Sequence, residues 1–195
     1  MTRLLLVLAA VALVVAGCGT SAPTPGHPAD RLLGRVELDR VLASSGTATT
    51  GPERVSDAPI PCAPDGDCRP LFLRGEAAFP AGYEQYTEVY YPTGSNNAGV
   101  GQSLVRYGTA GRSRAAYDRI VTDLLATRDR HLSGQDRDGD RAAWLWLSDA
   151  PTMPIGPFRT AYAIRLVGDT VVTAVLRAPD TRAVRDIVGR IPVGS

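Results

Sequence analysis

Hydrophobic residues fall along this 195-residue chain in three rhythms: one unbroken run, several helical faces and several alternating stretches. The unbroken run is 4–16 (LLLVLAAVALVVA), followed by a polar, proline-rich stretch at 19–30 (GTSAPTPGHPAD). A helical spacing then predicts a first helix over 31–44, where Leu32, Leu33, Val36, Val41 and Leu42 share one side and Gly46 follows as a stop. Residues 47–57 are polar and suit an edge strand, and 71–77 can form another. Residues 83–91 (YEQYTEVYY) are rich in aromatic and β-branched types and predict a strand. Turn material at 92–99 and a further strand over 100–107 complete a hairpin. The clearest helix spans 109–130, with Thr109 as cap and Ala116, Tyr117, Ile120, Val121, Leu124 and Leu125 at three-and-four spacing. A charged turn is expected at 134–141, placing His131 at the end of that helix, where the dipole favours it. Strands are expected at 142–147, 158–167 and 170–177, the last two joined by the two-residue link Gly168-Asp169. A final helix over 180–190 sets Val184, Ile187, Val188 and Ile191 on one side before Pro192. This order predicts an α+β fold, an antiparallel sheet with helices packed on it.

The run at 4–16 is too short to span a bilayer, which takes about twenty apolar residues. With Arg3 before it, it reads as the apolar part of an export signal. It ends in Val15-Ala16-Gly17-Cys18, which resembles the lipobox of bacterial lipoproteins. That resemblance implies transfer of a diacylglyceryl group to the Cys18 sulfur and cleavage before it; an ordinary signal cleavage near Ala16 or Ala22 is the other reading. The expected organisation is a lipoprotein signal peptide at 1–17, a lipidated terminus and tether at 18–30, and one domain at 31–195. Two or three acyl chains on one cysteine anchor a protein firmly, whereas one chain binds marginally. The tether would reach roughly 35 Å in its extended proline-rich form. His27 lies within it and reads as a solvated bystander. The expected location is the extracytoplasmic side of the cell membrane.

All basic residues are arginine, which excludes Schiff-base chemistry and the Walker lysine. Without Arg3 the arginines and the acidic residues balance at 20 each, which argues against nucleic acid and against a polybasic hold on anionic lipid. Beyond Cys18 only Cys62 and Cys68 remain, in a loop bracketed by Pro59, Pro61, Pro64 and Pro70. In an oxidising compartment they should form a disulfide, contributing about 2 to 2.5 kcal/mol by chain entropy. A metal site made with Asp65 or Asp67 is the sharper alternative, but no histidine is near.

Asp136, Asp138, Gly139 and Asp140 suggest a calcium loop, yet Arg141 and Leu147 stand where glycine and glutamate are needed. Gly99-Val-Gly101 precedes strand-like sequence, so a hairpin with permissive glycines explains it better than a phosphate loop. Ser103 lacks a nucleophile-elbow context, and Glu84 and Glu88 alternate with tyrosines as on an exposed strand face. No catalytic site and no cofactor are expected. Trp144 and Trp146 lie two apart on a strand whose other side carries Leu145 and Leu147, so that strand is expected to be central. They are either core or, with Tyr86, Tyr90 and Tyr162, the wall of a ligand cleft.

Three features stand out together: Leu32-Leu33 with the ELDRVL segment at 37–42, Gly108-Thr109-Ala110 leading into SRAAY at 113–117, and the closing strand, hairpin and helix from Tyr162 to Ile191. With them the layout resembles the extracellular sensor domain of mycobacterial PknH-type kinases and of many free actinobacterial lipoproteins. The family usually carries more cysteines, near the strand that enters the last hairpin; that region has none here. The resemblance implies a non-catalytic sensing or binding domain for an unknown small envelope ligand or envelope protein. A lipid or glycolipid carrier is the alternative, and a hydrolase using Ser103 or Glu88 comes last.

Overall fold

The computed structural model describes residues 26–59, 79–94, 98–126, 130–138, 142–149 and 159–193, with the strands at 130–138 and 142–149 described by their backbone. Cys18, Cys62 and Cys68, and the strand expected at 71–77, lie outside the described residues. A 3-10 turn at Pro28–Arg31 leads into helix α1 (Arg35–Leu42). The strands are β1 (Arg54–Ser56), β2 (Gln85–Pro92) and β3 (Gly99–Arg106), then, after helix α2 (Ala110–Leu125), β4 (Arg130–Asp138), β5 (Ala142–Asp149), β6 (Arg159–Val167) and β7 (Thr170–Ala178). Helix α3 (Ala183–Arg190) closes the fold.

The described strands form one seven-stranded sheet in the order β1-β2-β3-β7-β6-β5-β4, and every pairing is antiparallel. Strands β4 to β7 follow one another as a meander, and the β2-β3 hairpin joins it through β3 and β7. Helix α2 lies on one face of the sheet, over β6 and β7; α3 lies on the other, with α1 beside it. Strand β7 is therefore covered on both sides, and each of its nine residues is buried. This accounts for its near-continuous apolar sequence, TVVTAVLRA.

Two cores result. Under α1 and α3, Leu33, Leu38, Leu42, Val184 and Ile187 meet Val100, Ala161, Ala163, Ala174 and Leu176. Three of these sheet positions are alanines, which lets α3 approach the strands closely. Under α2, Ala116, Tyr117, Ile120, Val121 and Leu124 meet Val105, Tyr162, Ile164, Val171 and Val175. Thr109 accepts the Arg112 N–H as cap of α2, and the Ser113 hydroxyl donates to the Gly168 carbonyl at 2.8 Å, tying the helix to the β6-β7 turn. Gly168 holds that turn with φ of 58°, which favours glycine. Gly99 serves another purpose: the Tyr90 ring lies where its side chain would be.

Four expectations are corrected. The helix expected over 109–130 ends at Leu125, and Arg130–Asp138 is a strand, not a helix end and charged turn. His131 and the acidic residues Asp136 and Asp138 thus stand on β4, where pairing with β5 outweighs local preference. A charged strand is suited to a sheet edge, and its register shift between Leu132 and Gly134 adds a bulge there. The tryptophan strand β5 is second from the edge, while the centre is β7. In the first helix Leu32 and Leu33 precede α1, and Val36 is 67% exposed because the helix turns Leu38, Val41 and Leu42 inward.

One buried polar clamp holds the amino-terminal segment to the sheet. The Leu33 N–H donates to Gln102 Oε1 at 3.0 Å, and Gln102 Nε2 donates to the Leu33 carbonyl at 3.1 Å. Replacing Gln102 by alanine strands both backbone groups in the core and should cost about 2 to 4 kcal/mol. Urea unfolding measures this; a loss below about 0.5 kcal/mol would show that water replaces the amide.

Candidate functional site

At one end of the α1/α3 face the helices stop short of the strand ends. There Gln85 opens β2, Arg106 ends β3 and Thr170 opens β7, and the three stand opposite one another in register. With Leu104, the turn residue Asp169, Pro28 and Arg31 from the 3-10 turn, and Pro192 and Val193 after α3, they line a cleft of about 310 Å³. That volume reaches the range of small-molecule sites. Its walls combine an apolar part, Leu104 and the prolines, with two guanidinium groups.

Arg106 is held by its inner nitrogen. Its Nε donates to Asp169 Oδ2 at 2.8 Å, and the Thr170 hydroxyl donates to Asp169 Oδ1 at 3.0 Å. The backbone joins the same places, since the Tyr107 N–H donates to the Asp169 carbonyl at 2.9 Å. The hydrogen bond from Arg106 holds the Asp169 carboxyl below the usual carboxylate range, and that from Thr170 adds to it. The same pairing raises the Arg106 guanidinium further.

A second concavity of about 260 Å³ adjoins the first and shares Pro28 and Gln85 with it. His27, Asp57, Tyr83, Glu84, Tyr86 and Thr87 complete its lining. His27 is not the solvated bystander expected of a tether residue. Its Nδ1 accepts the Ala29 N–H at 3.1 Å, so Nε2 carries the proton and donates to Asp57 Oδ2 at 3.1 Å. The Thr87 hydroxyl reaches Asp57 Oδ1 at 3.2 Å. Residues 26–30, assigned by sequence to the tether, therefore belong to the folded part, with Ala29 buried in the core.

Of the five aromatic residues expected to line one cleft, the structure describes the side chains of three. Tyr86 and Tyr162 are buried in the core under α2, where Tyr86 packs edge-on to Phe79 with ring centroids 5.4 Å apart. Tyr90 is half-buried on β2, and its hydroxyl donates to the Ala98 carbonyl. The side chains of Trp144 and Trp146 lie outside those described; their backbones pair with Ala163 and Ala161.

Glu84 and Glu88 do not form an exposed face either, because Glu88 is 1% exposed and accepts the Tyr86 hydroxyl at 2.8 Å. Ser103, directly across from Glu88, is also 1% exposed and shares a hydrogen bond of 2.6 Å with the Thr173 hydroxyl. A nucleophile so buried cannot meet a substrate, so neither residue forms a hydrolytic site in this state. Among the described residues no cluster of histidine, cysteine and acidic side chains could hold a metal ion.

In fold, the chain is similar to the extracellular domain of PknH from Mycobacterium tuberculosis, with a TM-score of 0.66 and 15% identity over 89% of this chain and 96% of that one. No family model and no curated protein matches the sequence. Among the described residues no helix is long and apolar enough to cross a membrane.

The Arg106–Asp169 pair gives a direct check on the geometry of the cleft. A carboxyl depressed by folding adds stability above its unfolded value, about pH 3.9, and loses it as pH falls through the lower folded value. In an Arg106→Gln variant the Asp169 midpoint, followed by carbon NMR, should rise toward the ordinary carboxylate range. A midpoint unchanged by the substitution would mean that the pair does not form in solution.

Proposed function

We propose that the protein is an extracytoplasmic lipoprotein, held to the cell membrane through Cys18, whose domain binds a ligand as a non-catalytic, sensor-like module. The observation that carries this reading is the likeness of fold to an extracellular domain over nearly the full length of both chains. Three further features support it. The lipobox-like Val15-Ala16-Gly17-Cys18 supplies an anchor. The cleft at the strand ends supplies a concave surface. Ser103 and Glu88, the residues weighed for hydrolysis, are both buried. The charged lining of the cleft favours a polar ligand over an acyl chain, which sets the binding domain ahead of a lipid carrier.

Anchoring is tested by fractionation of cells producing the parent chain or Cys18→Ser. The parent should sediment with membranes and take up labelled fatty acid; the variant should be unlabelled. Equal labelling of the two would overturn the anchor. A Cys62–Cys68 disulfide is part of the same reading, because it requires an oxidising compartment. Under denaturing conditions without reductant, a thiol-alkylating reagent should leave both cysteines unmodified, and prior reduction should expose them. Alkylation of both without reductant would contradict export to such a compartment.

A further inference from the structure

The arrangement of the two arginines narrows the ligand. Asp169 holds Arg106 through Nε alone, and this leaves the two terminal nitrogens of a fixed guanidinium facing outward from the pair. That end-on edge is one of the two by which a guanidinium binds carboxylate or phosphate oxygens in bidentate fashion. Arg106 is 53% exposed, so a ligand can reach it. Arg31, on the wall supplied by the 3-10 turn, is exposed and has no carboxylate partner among the described residues. The carboxylate within the cleft, Asp169, is already engaged by Arg106 and by Thr170. The Gln85 amide adds a neutral hydrogen-bond donor, and Leu104, Pro28, Pro192 and Val193 add apolar surface.

We infer that this cleft binds a small molecule or headgroup bearing an oxyanion, carboxylate or phosphate, with Arg106 gripping the oxyanion, Arg31 neutralising it and the apolar wall receiving the attached carbon skeleton. The inference rests on the proposed binding role and names its chemistry. Two sources offer such a group, a soluble anion and the headgroup of an anionic lipid. The anchor makes the second physically accessible: only seven residues separate Cys18 from Gly26, and they span about 25 Å at most when extended.

The test follows the arginine side-chain and Thr170 amide resonances of the full-length protein in a neutral detergent during titration with inorganic phosphate, propionate and short-chain phosphatidylglycerol. Saturable shifts at Arg106, Arg31 and Thr170 with at least one probe are expected. Response to phosphate or propionate indicates a soluble anion, and response to the lipid alone indicates a headgroup; both support the oxyanion site. Arg106→Gln and Arg31→Gln, both surface changes that the fold should tolerate, should each weaken that binding at least about tenfold. Silence of the cleft toward all three probes, or binding unaffected by both substitutions, overturns the inference. If Cys18 is nevertheless acylated in that sample, the anchor stands and the ligand chemistry of the cleft alone fails.

Discussion

The join between β3 and β7 is the constraint on which the rest of this structure depends. It brings together residues about seventy apart in sequence, as Ser103 and Thr173 show, and turns a hairpin and a four-stranded meander into one sheet. Once it is made, β7 has neighbours on both edges and helices on both faces, and alternate residues are committed to two different cores. A slip of one residue at this join would exchange those cores and set Gln102 away from Leu33. The same join draws Arg106 beside Asp169, so the fold and the cleft share one cause.

Local chemistry made much of this architecture legible in the sequence. Helix α2 starts at its Thr109 cap, the β6-β7 hairpin turns at Gly168-Asp169, and α3 buries Val184, Ile187 and Val188 as their spacing implies. Strand β4 was not legible, because RHLSGQDRD has no apolar alternation and becomes a strand only by pairing with β5 at the sheet edge. The polar cast of β2 misled in the opposite sense: Glu88 and Thr87 are 1% exposed, the first with Tyr86 as its hydrogen-bond donor.

The candidate site was still less legible. Arg31, Arg106 and Asp169 come from three separate stretches, and nothing in their spacing marks them out. The tyrosines were conspicuous by type, yet Tyr86 and Tyr162 are spent in the core under α2, a burial that the sequence does not display. His27 was hidden likewise, since its partner Asp57 lies thirty residues away. Such pairings are properties of the folded chain. The one hint available was Gly168-Asp169, a tight turn carrying a carboxylate, which does not name that carboxylate's partner.

What emerges is a domain whose cleft lies where the chain leaves its amino-terminal segment. Pro28 and Arg31 form one wall, and the strand ends of β2, β3 and β7 form the other. A ligand seated there would hold the start of the domain against its sheet. The most direct measurement is backbone hydrogen exchange of the protein as freshly isolated from the cells that produce it, compared with the same protein after exhaustive dialysis. Occupancy of the cleft predicts slower exchange before dialysis at residues 28–33 and 168–170 together. Equal exchange at both segments, with protection on the α2 face instead, would contradict the assignment of the site.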